Sequence, residues 1–293
     1  MFDLRYHVAS LAAVFLALVI GILVGVGISG PVDKGKTGLL EEEVASLRKQ
    51  LDESSQQSTD VSRERQAART FINETYPALV RNRLRGKQVA VVFVGSVDGG
   101  TRSAVSRALT EAGALQLRLR ALKVPIDVRQ VQGALTAQPA AAGLVGRSQL
   151  ESLGRVLGEE LVLGGETPLW DSLTDALVEE RVGGGKAPAD GVVLVRTVAP
   201  QRAGTSRFLL GLYSGLASAG RPAVGVEQTD ATTSATKVFS KAGLSTVDDV
   251  DTPVGRLALV LLLAGASPGQ YGVKDSAGDG ALPPLPSPTA SGG

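Results

Sequence analysis

The sequence predicts an α/β protein carried behind an N-terminal membrane span. Three observations predict it: an uncharged run from Val8 to Ile28, a heptad pattern starting at Leu40, and alternating apolar strand and helix patterns after Gly86. The expected organisation is a short cytoplasmic N-terminus (1–7), one transmembrane helix (8–28), a coiled coil (38–85), an α/β domain (86–272) and a disordered tail (273–293).

The first element rests on length. VASLAAVFLALVIGILVGVGI, Val8 to Ile28, is 21 residues without a charge, and a bilayer core needs about 20 such residues as helix. A cleavable signal peptide has an apolar region of about 7–15 residues ending in an A-x-A-like site, so a retained anchor in the lipid bilayer is expected. Small residues recur at every fourth position, Ala9, Ala13, Ala17, Gly21, Gly25 and Ser29. That spacing lines one helix face and lets a second helix approach closely, so Ala13, Ala17, Gly21 and Gly25 are expected to join two copies.

Gly25, Gly27 and Gly30 also form a G-x-G-x-x-G. The dinucleotide fingerprint requires a strand before it and a helix after it. These glycines instead close an apolar helix, and Pro31 follows them, which opposes a further helical turn. Charge does not set the orientation of the span: Arg5 precedes it, while Lys34, Lys36, Arg48 and Lys49 follow, against the positive-inside bias.

The second element is the heptad. Leu40, Val44, Leu47, Leu51 and Val61 share one a/d track, interrupted by Ser54 and Ser58 and continued by Arg65, Ala68 and Ile72. This is a juxtamembrane coiled coil, and with the small-residue face it predicts a homodimer through Leu40, Val44, Leu47 and Leu51. Charged flanks such as Glu41 to Glu43 also suit a solitary solvated helix. RNRLRGK, Arg81 to Lys87, closes the region and reads as a solvated helix end rather than a site for anionic lipid or polymer.

The third element is the α/β domain. Val89 to Val94 reads as a buried strand turning through GSVDGG, Gly95 to Gly100, into a helix from about Thr101. Further strands are expected at Leu115–Leu119, Gly191–Thr197 and Ala223–Glu227. Helical patterns occupy Gln149–Leu163, Leu169–Glu180, Arg207–Ala219 and Thr233–Ala242. This alternation predicts a mostly parallel, Rossmann-like sheet with helices on its faces. Leu257–Ala266 is too short to span a membrane and is a core helix. Gly, Ser, Pro and Ala dominate from Val273, predicting a disordered tail.

Composition removes several function classes. Thirty Lys and Arg against 29 Asp and Glu leave a net charge of +1, and aromatics make up 4%, so neither field nor stacking favours nucleic acid. There is no cysteine, and the single histidine, His7, precedes the span. Thiolate chemistry and a Ser-His-Asp triad in the α/β domain are therefore absent. GLYSG, Gly211 to Gly215, places Ser214 one position late for a nucleophile elbow and reads as helix packing. GSVDGG lacks the G-K-[ST] ending of a P-loop, so a structural turn is preferred over a phosphate cradle. In STVDDVDT, Ser245 to Thr252, the carboxylates Asp248, Asp249 and Asp251 are the candidate set for a hard cation. The preferred reading is a loop whose side chains cap the helix entered through Pro253.

LRYHVASLAAVFLALVIGILVGVGI with the heptad behind it, and LSTVDDVDTPVGRLALVLLLAG followed by GQYG, together resemble the actinobacterial MctB family of copper transport proteins, in the same order and over nearly the whole chain. The resemblance implies an envelope protein at the plasma membrane with a cytoplasmic N-terminus, an extracytoplasmic α/β domain and a role in copper homeostasis, originally framed as an outer-membrane channel. It supplies no ligand residues, and no cofactor is evident otherwise. Copper(I) favours Cys and Met and copper(II) imidazole, whereas Met1 and His7 are the only residues of those types. The alternating ten-residue strands of a membrane barrel do not occur. The expected function is thus non-enzymatic copper transport or homeostasis. The alternative is a coiled-coil scaffold recruiting envelope partners such as cell-wall-remodelling enzymes, without binding copper. An enzyme holding a phosphate or sugar in its βα loops is a third reading.

Overall fold

A computed structural model describes residues 4–28, 34–184 and 186–285; the side chains of 4–12, 26–28, 34–41 and 140 lie outside the description. The chain divides into two compact units, Met1–Ala68 and Arg69–Gly293.

The first unit contains α1 (Leu4–Ile28) and most of α2 (Lys34–Val80). Among the described residues no helix is long and apolar enough to cross a membrane. The described side chains of α1 cover only residues 13–25, a stretch shorter than the roughly 20 residues a bilayer core requires. On α2, Val44, Leu47 and Leu51 are 46%, 58% and 70% exposed, as an apolar stripe on a single helix must be. The helix stops at Val80, short of the expected coiled-coil end at 85. Asn82 and Gly86 adopt φ of 61° and 77°, left-handed values that end a helix, and Leu84 is then buried beneath the turn.

The second unit is built on a seven-stranded mixed sheet of order β3-β2-β1-β4-β5-β6-β7. In chain order its elements are β1 (Gln88–Val94), α3 (Gly99–Glu111), β2 (Leu115–Leu122), α4 (Val128–Thr136), α5 (Leu150–Leu163), α6 (Pro168–Leu177) and β3 (Val178–Val182). There follow β4 (Gly191–Arg196), α7 (Ala203–Ser218), β5 (Ala223–Val226), α8 (Thr236–Lys241), β6 (Ser245–Val247), α9 (Pro253–Leu263) and β7 (Gln270–Tyr271). All neighbouring pairs are parallel except β2 with β3.

β1 explains the layering. Its side chains alternate between faces, and because helices cover both faces the strand is apolar throughout. Ala90, Val92 and Val94 pack into the core shared with α4 to α8. Val89, Val91 and Phe93 pack into the core shared with the end of α2, α3 and α9. On the first face, α5 and α7 touch through two pairs of glycines. A Cβ on Gly154 would lie 2.1 Å from Phe208 O, and one on Gly211 would lie 1.9 Å from Glu151 O. Gly158 and Gly215 repeat the contact one turn along, so GLYSG is packing, as its apolar surroundings indicate.

Two expectations are corrected. The helix expected over Leu169–Glu180 ends at Leu177, because the next residues pair with the open edge of β2, and such pairing overrides a local helical pattern. The tail expected to be disordered from Val273 is folded through residue 285. Its segment 273–276 donates hydrogen bonds to Asp248, and Leu282 packs on the α3/α9 core; residues 286–293 lie outside the described residues.

Candidate functional site

Strand order reverses between β1 and β4, and in open α/β sheets ligands bind outside the carboxyl ends of the strands at such a reversal. A cleft of ≈ 490 Å³ lies there, lined by Asp98 and Thr101 after β1, Thr197 and Val198 after β4, and Gln228 and Asp230 after β5. Gly95 starts the first of these loops with φ +98°, and a Cβ on it would lie 2.4 Å from Val198 Cγ1. Glycine is therefore required both by conformation and by the approach of the two loops.

Asp98 is the N-cap of α3. Its Oδ2 accepts from Thr101 N at 2.6 Å, Thr101 Oγ1 at 2.7 Å and Gln228 Nε2 at 2.7 Å. These bonds, the Thr101 amide first, hold its carboxyl below the ordinary aspartate range. The helix terminus that would receive a phosphate is thus occupied by the chain's own carboxylate, which makes GSVDGG a capped structural turn. Among the cleft's described residues there is no imidazole or thiol. What remains is a polar crevice suited to hydrogen-bonding a small polar molecule.

The three candidate metal carboxylates do not converge. Asp248 accepts from Val273 N at 2.8 Å and Ser276 Oγ at 3.0 Å. Asp249 is 0% exposed and its Oδ2 accepts from Thr252 Oγ1 at 2.9 Å; burial, ahead of its neighbours' charges, raises its pKa. Asp251 accepts from Thr229 N at 2.7 Å and Thr229 Oγ1 at 3.0 Å. Among the described residues no group of three His, Cys, Asp or Glu is placed to hold a metal ion. The reading as a hard-cation set is corrected accordingly: each carboxylate has a separate structural partner, and Thr252 caps α9 by accepting from Gly255 N at 2.9 Å.

None of these three lines the cleft. Gln228 and Thr229 stand between: Gln228 bonds Asp98 while Thr229 bonds Asp251. The sequence reading missed Gln228, Glu227 and Lys274. Glu227 is 5% exposed, and its Oε1 accepts from Lys274 Nζ at 2.8 Å while its Oε2 accepts from Ala235 N at 2.8 Å. A carboxylate placed at the end of an apolar strand, as Glu227 is, was the available signal.

Of the expected dimerisation residues, Ala13, Ala17, Gly21 and Gly25 lie exposed on α1, and Val44, Leu47 and Leu51 lie exposed on α2. The side chain of Leu40 lies outside the described residues, as do those of Ala9 and Ser29.

Comparison with known proteins matches residues 1–283 to the family described as "Copper transport outer membrane protein, MctB". Proteins named "Copper transporter MctB" from Mycobacterium bovis and Mycobacterium tuberculosis are each 28% identical to this chain, over 93% of it and 96% of their own length. The Mycobacterium leprae protein of the same name is 28% identical over the same shares.

Proposed function

The chain belongs to the MctB family of copper transport outer membrane proteins, and from that premise we propose that it serves copper homeostasis as a membrane-anchored, non-enzymatic envelope protein working as paired copies. Copper is the cargo of the process in this reading, not a resident ion. The chain has no cysteine, one methionine and one histidine, too few soft or imidazole donors for a retained copper site.

The observation that carries the paired assembly is the exposed stripe of Val44, Leu47 and Leu51, which follows a 21-residue uncharged run bearing Gly21 and Gly25. The uncharged run anchors the protein at the plasma membrane, and the two stripes hold two copies together. The N-terminus stays cytoplasmic and the α/β domain stands outside, where its switch-point cleft is open to envelope partners.

The test measures copper accumulation in cells lacking the protein, complemented by the natural chain or by a Leu47→Asp, Leu51→Asp chain. The natural chain is expected to restore accumulation and the double variant to fail. Purified full-length protein dialysed after exposure to copper is expected to keep none. Unchanged copper accumulation in the deletion cells would overturn the reading.

A further inference from the structure

The edge of the sheet away from the cleft carries an accumulation of positive charge that the domain itself only partly neutralises. Within β2 the pairing with β1 shifts register after Gln116, so that Leu117 is bypassed and Arg118 pairs with Ala90. Such a bulge re-aims the side chains that follow it. Arg118 and Arg120 then share the face covered by α5 and α6. On the other side of β2, the antiparallel partner of Arg120 is Arg181. Like charges directly opposite on antiparallel strands are destabilising, and here a third arginine lies two residues away on the same strand.

These groups line a pocket of ≈ 290 Å³ with Lys186, Trp170 and Asp171. Arg118 is 5% exposed. Its guanidinium donates to the carbonyls of Leu161 and Ala187, while its Nε is buried with no hydrogen-bond partner. Among the described residues Arg120 donates to carbonyls, those of Leu119, Val182 and Gly183. Lys186 pairs with Glu166 at the exposed rim. Burial first, then the adjacent Arg118 and Arg181, lower the pKa of Arg120, with Asp171 opposing them. With Lys186 paired to Glu166, the described pocket lining sets the carboxylate of Asp171 against the three guanidiniums of Arg118, Arg120 and Arg181.

We propose that this pocket binds the phosphate group of a phosphate ester, with Arg118, Arg120 and Arg181 converging on its oxygens and Trp170 forming the apolar wall beside it. Planar guanidiniums match the oxygens of phosphate and carboxylate alike. Three of them against one carboxylate favour a dianion over a single carboxylate charge. The ester is a phosphate monoester, either a free small molecule or a lipid that ends in a phosphate, since both present the same dianionic group.

Trp170 is the only tryptophan of the chain and lines the pocket, so its fluorescence reports occupancy. Full-length protein in neutral detergent micelles is titrated with sodium phosphate and with glycerol phosphate at constant ionic strength, and by native mass spectrometry is offered phosphatidic acid or phosphatidylcholine. A saturable fluorescence change whose apparent Kd rises at least tenfold in Arg120→Gln and in Arg181→Gln identifies a soluble phosphate ligand. Retention of phosphatidic acid alone, lost in the same variants, identifies a lipid phosphate. The variants are expected to keep one cooperative unfolding transition in phosphate-free buffer, Arg120→Gln exchanging its carbonyl bonds for a removed repulsion; this separates lost binding from lost folding. Binding of neither probe, or equal binding by the variants, overturns the proposal.

Discussion

The amide of Val273 donates to Asp248 Oδ1 at 2.8 Å, and this contact ties the C-terminal segment to the end of β6. Asp248 is 1% exposed, and Gly272 passes so close that a Cβ there would lie 1.9 Å from Asp248 Oδ1. Ending the chain at Gly272 removes the Val273, Lys274 and Ser276 donors of Asp248 and the Lys274 partner of Glu227. Two carboxylates are left in poorly solvated positions, and stripping one partner from a buried ion pair costs about 3–5 kcal/mol. The truncated protein is expected to unfold at clearly lower denaturant, measured by Trp170 fluorescence. An unchanged midpoint would show that the segment adds nothing.

What was legible in the sequence was whatever local pattern alone determines. β1 and β4 are apolar on both faces, and α5, α7 and α9 carry long apolar patterns, so each could be located without its neighbours. β6 and β7 are only three and two residues long, and pairing alone makes them strands. β3 is hidden because VEERV follows a helical pattern without a break, and only the free edge of β2 draws it into the sheet. Sequence alone kept a metal reading of Asp248, Asp249 and Asp251 open beside the preferred capping loop, because closeness in sequence says nothing of direction. The arginine pocket was invisible for a related reason: no local pattern ties Arg118 and Arg120 to Arg181, which joins them only through sheet register.

Asp98 and Asp249 are expected to act on stability with opposite dependence on pH. For Asp249 the folded pKa is raised, burial being the main cause. Its contribution is fully present below the unfolded value of about 3.9 and is lost as pH rises through the raised folded value. Asp249→Asn keeps an acceptor for Thr252 Oγ1 without the charge. It should therefore gain stability relative to the natural chain as pH rises from about 4 to 7. A stability difference that stays flat across this range in denaturant titrations would sink the argument.

For Asp98 the folded pKa is lowered, chiefly by the Thr101 amide. Its contribution is present above the unfolded value and is lost as pH falls through the folded one. Asp98→Ala removes an N-cap, which costs about 0.5–2 kcal/mol, and also the bond from Gln228 across the cleft. The deficit should be largest near neutral pH and shrink on acidification. A constant deficit would assign the loss to packing instead.

Glycine at the α5–α7 contact should be far less replaceable than glycine elsewhere in a helix. Gly211→Ala drives a methyl against Glu151 O, 1.9 Å away, and both atoms belong to packed helices. Overpacking of this kind costs about 1–3 kcal/mol or more. Gly133→Ala in α4 meets nothing within 4 Å and should stabilise by about 0.5–1 kcal/mol through helix propensity. Unfolding midpoints that move the same way for both substitutions would refute the close-packing account of Gly211.

The stripes on α1 and α2 predict two separable contributions to association. Leu47→Asp with Leu51→Asp places charge at positions that are 58% and 70% exposed in the single chain, so it should leave the α/β domain's unfolding midpoint unchanged while opposing a coiled-coil seam. Gly21→Leu with Gly25→Leu fills the small-residue face and should weaken close helix approach in the bilayer. Cross-linking of full-length protein in membranes is expected to fall for each pair of substitutions and to fall further when they are combined. If the α2 pair alone abolishes cross-linking and the α1 pair has no effect, the four-residue ladder is composition rather than a contact face. If neither changes it, the apolar stripe of α2 is covered by something other than a second copy.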